Sequence, residues 1–168
     1  HDDIMDEAPI RRGKQTVHKL YDVNTAILSG DVMLIYAYQL LEVLDGDLFK
    51  KIFRIFNKTA VKVCEGQRFD LNFETREDVS IEEYIKMIEF KTAVLLGCSL
   101  EVGAYMGGAD DNDAKNLYEF GRNLGIAFQI QDDILDAFGD ENDFGKKIGG
   151  DILQNKKTFL LIKSFELA

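Results

Sequence analysis

Two matched clusters of aspartates are the residues of this sequence best equipped for chemistry. Asp132, Asp133 and Asp136 interrupt the run from Gly125 to Asp140, and Asp2, Asp3 and Asp6 open the chain as Asp2-Asp3-Ile4-Met5-Asp6. In both clusters the outer carboxylates stand four residues apart with two apolar residues between the inner pair and the last. On a helix of 3.6 residues per turn the outer pair stacks on one face and the middle carboxylate lies about a third of a turn away. Like charges so placed repel by roughly 0.2–0.5 kcal/mol on an exposed helix, and by more where neighbours exclude solvent. A cation is called for, unless the second cluster is only the solvated acidic face of a surface helix.

The repetition argues for function, and so do the cations around it. Arg11-Arg12-Gly13 follows the first cluster by five residues. Guanidinium forks match phosphate oxygens, although adjacent arginines are often a solvated pair. Lys91-Thr92 precedes an apolar run, where a buried ammonium would need an anion and the alternative is a snorkelling lysine. After the second cluster come Gly145-Lys146-Lys147-Ile148-Gly149-Gly150-Asp151 and Asn155-Lys156-Lys157-Thr158. A glycine-bearing loop flanked by lysines suits phosphate contact, and a generic surface loop would also be rich in lysine.

With the two DDxxD clusters, Arg11-Arg12, Lys91-Thr92 and the lysine loop, the chain resembles the trans-prenyltransferases, the polyprenyl synthetase family, over nearly its whole length. The resemblance implies an all-α, isoprenoid-synthase-type helical bundle around a central cavity, with the two aspartate motifs facing each other across it. It implies an enzyme that joins an allylic diphosphate to isopentenyl diphosphate, with magnesium as cofactor and three ions when substrate is bound. Asp2 and Asp6 would hold two ions with Asp3 behind them, Asp132 would bind a third, and Asp133 and Asp136 complete the metal-binding set. Arg11, Lys91, Thr92, Gln129, Lys146 and Lys156 would bind the allylic diphosphate, and Arg12 the isopentenyl diphosphate. Asp2, Asp6, Lys91, Asp132 and Lys146 form the catalytic set.

No side chain is an obvious general base, which suits a family in which the released diphosphate takes the proton. Asn155 departs from the family pattern, which commonly has glycine there. Two alternatives share part of this evidence. A terpene cyclase of the same fold carries an Asn/Asp, Ser/Thr, Glu metal motif on its second helix, whereas this chain has a second DDxxD. A non-catalytic partner subunit often loses one aspartate motif, and here both are intact.

Composition fits this reading. The 168 residues suit one domain, and 46% apolar content supplies a core. One proline and no tryptophan suit long uninterrupted helices. A net charge of -10 disfavours nucleic acid or an anionic membrane as partner, but metal-loaded aspartates could still attract an anionic substrate. Cys64 and Cys98 lack CxxC spacing and suit reduced core residues of a cytoplasmic protein. No signal peptide is visible. The longest apolar stretch, about Ala93 to Met106, is broken by Glu101 and too short to span a bilayer, so no transmembrane segment is expected.

The positioning elements can be placed by punctuation and period. Pro9 should end a first helix and Ile10 to Lys19 should form a basic loop, with His18 solvated or capping. Asn24 or Thr25 can cap a helix reaching Leu44, whose interior Gly30 suggests close packing and whose Asp31 has a structural character. Asp45-Gly46-Asp47 turns into a helix over Leu48 to Phe73, whose Glu65 to Asp70 segment resembles a family stretch on the cavity wall, although Gln67 and Asp70 could equally be helix-end polar residues. Ser80 to Glu83 is a capping box for a helix running to Met106. Gly107-Gly108 ends it, and Asp110, Asp111 or Asp113 starts a last long helix that finishes by Gly139. No strand is expected. The two helices from Asn24 to Phe73 carry more apolar residues than one face needs, which with family habit points to a homodimer. Both ends have the character of a cut within a longer domain.

Overall fold

The computed structural model describes residues 1–139, 149, 152 and 155–167. Its contacts divide the chain into two compact units, His1–Phe49 and Lys50–Ala168. Helices dominate both, as the sequence leads one to expect.

In the first unit a short helix α1 (Asp2–Met5) is followed by strands β1 (Ile10–Arg11) and β2 (Lys14–Gln15), then α2 (Val17–Leu20) and α3 (Val23–Gln39). The expected basic loop is therefore an antiparallel hairpin, in register Ile10 to Gln15 and Arg11 to Lys14. Its two-residue turn has both Arg12 (φ 52) and Gly13 (φ 74) in left-handed conformations. That turn twists in the same sense as the strands it joins. Buried Thr16 closes the base: its Oγ1 donates to the Ala8 carbonyl at 2.7 Å and its N–H to that of Pro9 at 3.2 Å.

Helix α3 starts slightly earlier than expected because Asp22 is the cap, accepting from the Thr25 N–H at 2.8 Å. Gly30 makes room for the His1 ring, which lies 3.2 Å from the Asp31 carboxylate. A tighter 3-10 turn (Leu40–Val43) completes the segment. By length and composition alone Val23–Val43, with mean hydropathy 1.3, could cross a membrane, so the longest apolar stretch is here and not at Ala93 to Met106. Leu28, Met33 and Tyr36 are each at least 60% exposed, so much of the apolar surface of α3 is uncovered among the described residues.

The second unit contains nearly all of α4 (Gly46–Phe73), then α5 (Ile81–Ile88), a π turn (Glu89–Ala93), α6 (Val94–Met106), α7 (Asp111–Phe138) and α8 (Phe159–Leu167). Ser80 and Glu83 form the expected capping box, and Asp110 caps α7 by accepting from Asn112 and Asp113 N–H. The core joins Phe73, Val79, Tyr84, Met87, Ile88 and Ile162. Helices α6 and α7 run antiparallel at close range: a Cβ on Gly121 would strike the Gly97 backbone, and one on Gly125 would strike Ala93. Cys98 is buried, as expected, but Cys64 faces solvent on the outer side of α4.

The expected single helix from Ser80 to Met106 is interrupted at Glu89–Ala93 by the π turn. Two neighbours fit this widened turn. Gly66 of α4 brings its bare Cα against the Phe90 and Lys91 backbone, and Arg122 of α7 pairs with Glu89 at 3.3 Å. An extra residue in one turn re-aims what it carries, here Lys91 and Thr92.

Candidate active site

The first aspartate cluster lies on α1, with Asp2 and Asp3 in its first turn and Asp6 as the closing residue. The hairpin brings Arg11 back to it. Arg11 Nε donates to Asp3 Oδ1, and Nη2 reaches Asp2 Oδ2 at 3.5 Å. The hydrogen bond to Asp3 is the main reason the Arg11 guanidinium is held above its ordinary pKa. Arg12, at the turn itself, is exposed. His18 is not a solvated loop residue: it lies in α2, and both ring nitrogens are buried without a hydrogen-bond partner among the described residues.

The second cluster lies near the end of α7 and is no solvated face. Asp133 is 5% exposed and Asp136 7%, while Asp132 is half-buried. Asp133 is drawn into the protein by three donors. Tyr84 Oη donates to its Oδ2 at 2.7 Å, the Phe159 N–H to the same oxygen at 3.2 Å, and Gln129 Nε2 to Oδ1 at 3.3 Å. Burial pushes the Asp133 carboxyl above its ordinary pKa, and the three donors oppose that shift. The backbone of Asp136 also accepts from the Gly149 N–H at 2.8 Å.

The π turn places the predicted diphosphate residues beside this cluster. Thr92 Oγ1 donates to Gln129 Oε1 at 3.1 Å, and Gln129 precedes Asp132 by three residues on α7, one turn along the same face. Lys91 Nζ lies 2.6 Å from Asp70 Oδ2, so the lysine does have the buried anion its environment demands. In the sequence Asp70 ends a segment that resembles a cavity-wall stretch of the family and could equally be a helix-end polar residue. Its signal was the unanswered charge of Lys91. Tyr84, 1% exposed, lies on the face that the helical period marks with Ile85 and Ile88, but its hydroxyl gave no sign of pairing with Asp133. Lys156 is half-buried just ahead of α8, and Lys146 lies outside the described residues.

Among the described residues no three carboxylates, histidines or cysteines are gathered closely enough to cage an ion by themselves. The donor set nevertheless fits magnesium, which takes hard oxygen ligands, often only one or two carboxylates completed by substrate phosphates and water. Within its own unit, each aspartate motif offers such oxygens: Asp2 and Asp6 in the first, Asp132 in the second. A separate cleft of about 450 Å³, lined by Phe69, Phe73, Arg76 and Lys86 among others, contains none of the predicted site residues.

Comparison with known proteins identifies the family. The family model for polyprenyl synthetase matches residues 1–168. The chain belongs to the polyprenyl synthetase family. It is 47% identical to a geranylgeranyl diphosphate synthase of Sulfolobus acidocaldarius, over 99% of this chain and 52% of that protein. A crystal structure of a geranylgeranyl pyrophosphate synthase superposes with a TM-score of 0.95 at 57% identity, covering 99% of this chain and 51% of the other. A geranyltransferase of Helicobacter pylori, solved in complex with magnesium and isoprenyl diphosphate, gives a TM-score of 0.86 at 32% identity, over 99% of this chain and 56% of its own. This polyprenyl synthetase chain thus has the all-α isoprenoid-synthase fold and spans about half the length of the relatives it matches.

Proposed function

We propose that this chain is part of a magnesium-dependent trans-prenyltransferase that condenses an allylic diphosphate with isopentenyl diphosphate. The observation that carries the reading is the hydrogen bond from Thr92 to Gln129, which puts the Lys91-Thr92 pair beside the face of α7 that bears Asp132. The relatives named geranylgeranyl diphosphate synthases make geranylgeranyl diphosphate the first product to assay.

Asp2, Asp6 and Asp132 would hold magnesium, which would supply stabilisation of the negative charge on the departing diphosphate. Lys91, whose ammonium rests on Asp70, and Lys156 would add cationic donors for the same diphosphate, and Thr92 and Gln129 would fix its orientation through neutral hydrogen bonds. Arg11, which rests on Asp3, supplies a guanidinium fork for the allylic diphosphate, and exposed Arg12 one for isopentenyl diphosphate. Attack by the isopentenyl double bond on the ionised allylic carbon, then loss of a proton to the released diphosphate, lengthens the chain by one isoprene unit.

The exposed apolar surface of α3 supports a homodimer, in which a second copy would cover it. Free Cys64 and Cys98 suit a cytoplasmic setting.

The test is product analysis. The complete polypeptide carrying these residues, given farnesyl or geranyl diphosphate with isopentenyl diphosphate, should release longer prenyl diphosphates, and chelation of magnesium should stop it. Hydrocarbon release without isopentenyl diphosphate would favour a cyclase instead. Sedimentation as a concentration-independent monomer would remove the dimer.

A further inference from the structure

The second aspartate motif contains three carboxylates, and they do not share one environment. Asp133 has three protein donors on its two oxygens: Tyr84 Oη, the Phe159 N–H and Gln129 Nε2. A carboxylate offers about four acceptor directions, so most of its capacity is already in use. Only 5% of the residue is exposed. Such a group has little left to offer an ion arriving from solvent.

What those donors belong to is informative. Tyr84 lies in the first turn of α5, and Phe159 is the first residue of α8, so one carboxylate on α7 ties both helices to itself. The Phe159 N–H is one of the orphan donors that every helix start presents, and Asp133 satisfies it from another helix. The Tyr84 and Phe159 rings also meet, with centroids 6.2 Å apart. Lys156 precedes Phe159 by three residues, and its neighbour Thr158 begins the α8 backbone pattern by accepting from Ile162 at 3.1 Å. The Thr158 N–H donates to the Lys156 carbonyl at 3.1 Å, which links the backbone of the lysine to the start of α8, and Asn155 Nδ2 donates to the Glu74 carbonyl at 2.8 Å just before it.

We propose that Asp133 is a positioning residue and not a metal ligand: it fastens the start of α8 to α7 and so holds Lys156 in place for the allylic diphosphate. This rests on the prenyltransferase reading for its substrate, while the fastening itself can be judged without turnover.

The experiment uses the complete polypeptide with Asp133→Asn, Tyr84→Phe, Lys156→Ala and the double variant Asp133→Asn/Lys156→Ala. Amide hydrogen exchange at Phe159 should accelerate in both Asp133→Asn and Tyr84→Phe. In steady-state assays Asp133→Asn should raise the KM for the allylic diphosphate about 10-fold and leave half-saturating magnesium within about twofold of wild type. Lys156→Ala should cost much less in the Asp133→Asn background than alone, because its position is already lost. A rightward shift of half-saturating magnesium that excess magnesium rescues would make Asp133 a ligand and overturn the proposal, as would strict additivity with Lys156→Ala. Should Asp133→Asn fail to fold, Tyr84→Phe carries the same test: unchanged Phe159 exchange in it counts against the fastening. An inactive wild type would remove the prenyltransferase reading and leave the exchange result to decide the rest.

Discussion

Lys91 and Asp70 form an ion pair 2.6 Å long in which the carboxylate side chain is 9% exposed and the lysine 24%. Asp70 comes from α4 and Lys91 from the π turn, so the pair joins two segments that lie 21 residues apart in sequence. Removing either partner strands a charge that water reaches poorly. Asp70→Asn should therefore lower stability by about 1–3 kcal/mol, the usual cost of leaving a charged group short of its hydrogen bond. Lys91→Met should also destabilise, by stranding Asp70. The double change should cost less than the sum, because neither charge is then left alone. Urea unfolding of the four proteins checks this, and additive losses would show that the pair is not coupled.

The π turn should be intolerant of side chain on its α4 side. A methyl group at Gly66 would overlap the Lys91 N and Phe90 C atoms, which are backbone and have no rotamer in which to escape. Gly66→Ala should cost at least about 1–3 kcal/mol through overpacking, despite the better helix propensity of alanine. It should also move Lys91 and Thr92, and so raise the KM for the allylic diphosphate. Gly103, which meets nothing within 4 Å, is the control: Gly103→Ala should be neutral or stabilising. Equal effects at both positions, by thermal melting, would contradict the close approach.

These features differ in how far the sequence announced them. The capping box at Ser80, the Gly107-Gly108 stop and the Asp110 cap are local devices, and each was readable from neighbouring residues. The Arg12-Gly13 hairpin was missed because its strands are two residues long and carry no alternating apolar pattern. The π turn was missed for a different reason. It follows packing from α4 and α7, and nothing in Glu89 to Ala93 itself departs from a helical pattern. The aspartate motifs and Lys91 stood out by residue type and spacing, Thr92 and Gln129 entered through the family resemblance, and the pairings of Asp70 and Tyr84 are set by tertiary contact. The family resemblance set Asp132 apart as the ligand of a third ion, but neither the burial of Asp133 nor its three donors was legible in the sequence.

Acid stability should depend on Arg76. Its guanidinium binds both oxygens of Glu83, at 2.8 and 3.2 Å, and Asp78 Oδ1 at 3.0 Å. Hydrogen bonding to Arg76 holds both carboxyls below their ordinary pKa values. A depressed folded pKa stabilises the fold fully above the ordinary value, and that contribution disappears as pH falls through the folded one. Wild type should thus lose stability relative to Arg76→Ala as pH drops from about 5 to about 3, until the two converge. Urea midpoints across that range provide the measurement. A gap that stays constant with pH would mean that Arg76 acts through its packing on Phe73 and not through charge.

The last prediction separates metal ligands from substrate cations. Asp2→Ala and Asp132→Ala should each lower turnover by several orders of magnitude, because the lost oxygen is used most when the leaving group gains charge. Lys156→Ala removes one of several cations around the diphosphate, and about 10- to 1000-fold is the range for one such electrostatic donor. Magnesium distinguishes the two classes. Raising it should partly restore Asp2→Ala and Asp132→Ala, since mass action can refill a weakened site, and should do nothing for Lys156→Ala. Helical content by circular dichroism should be unchanged in Asp2→Ala, because α1 is a single short turn and Asp2 is half exposed. If folded Asp2→Ala and Asp132→Ala proteins turn over at near wild-type rates through the magnesium series, the carboxylate clusters hold no catalytic ion and the assignment of Asp2, Asp6 and Asp132 falls.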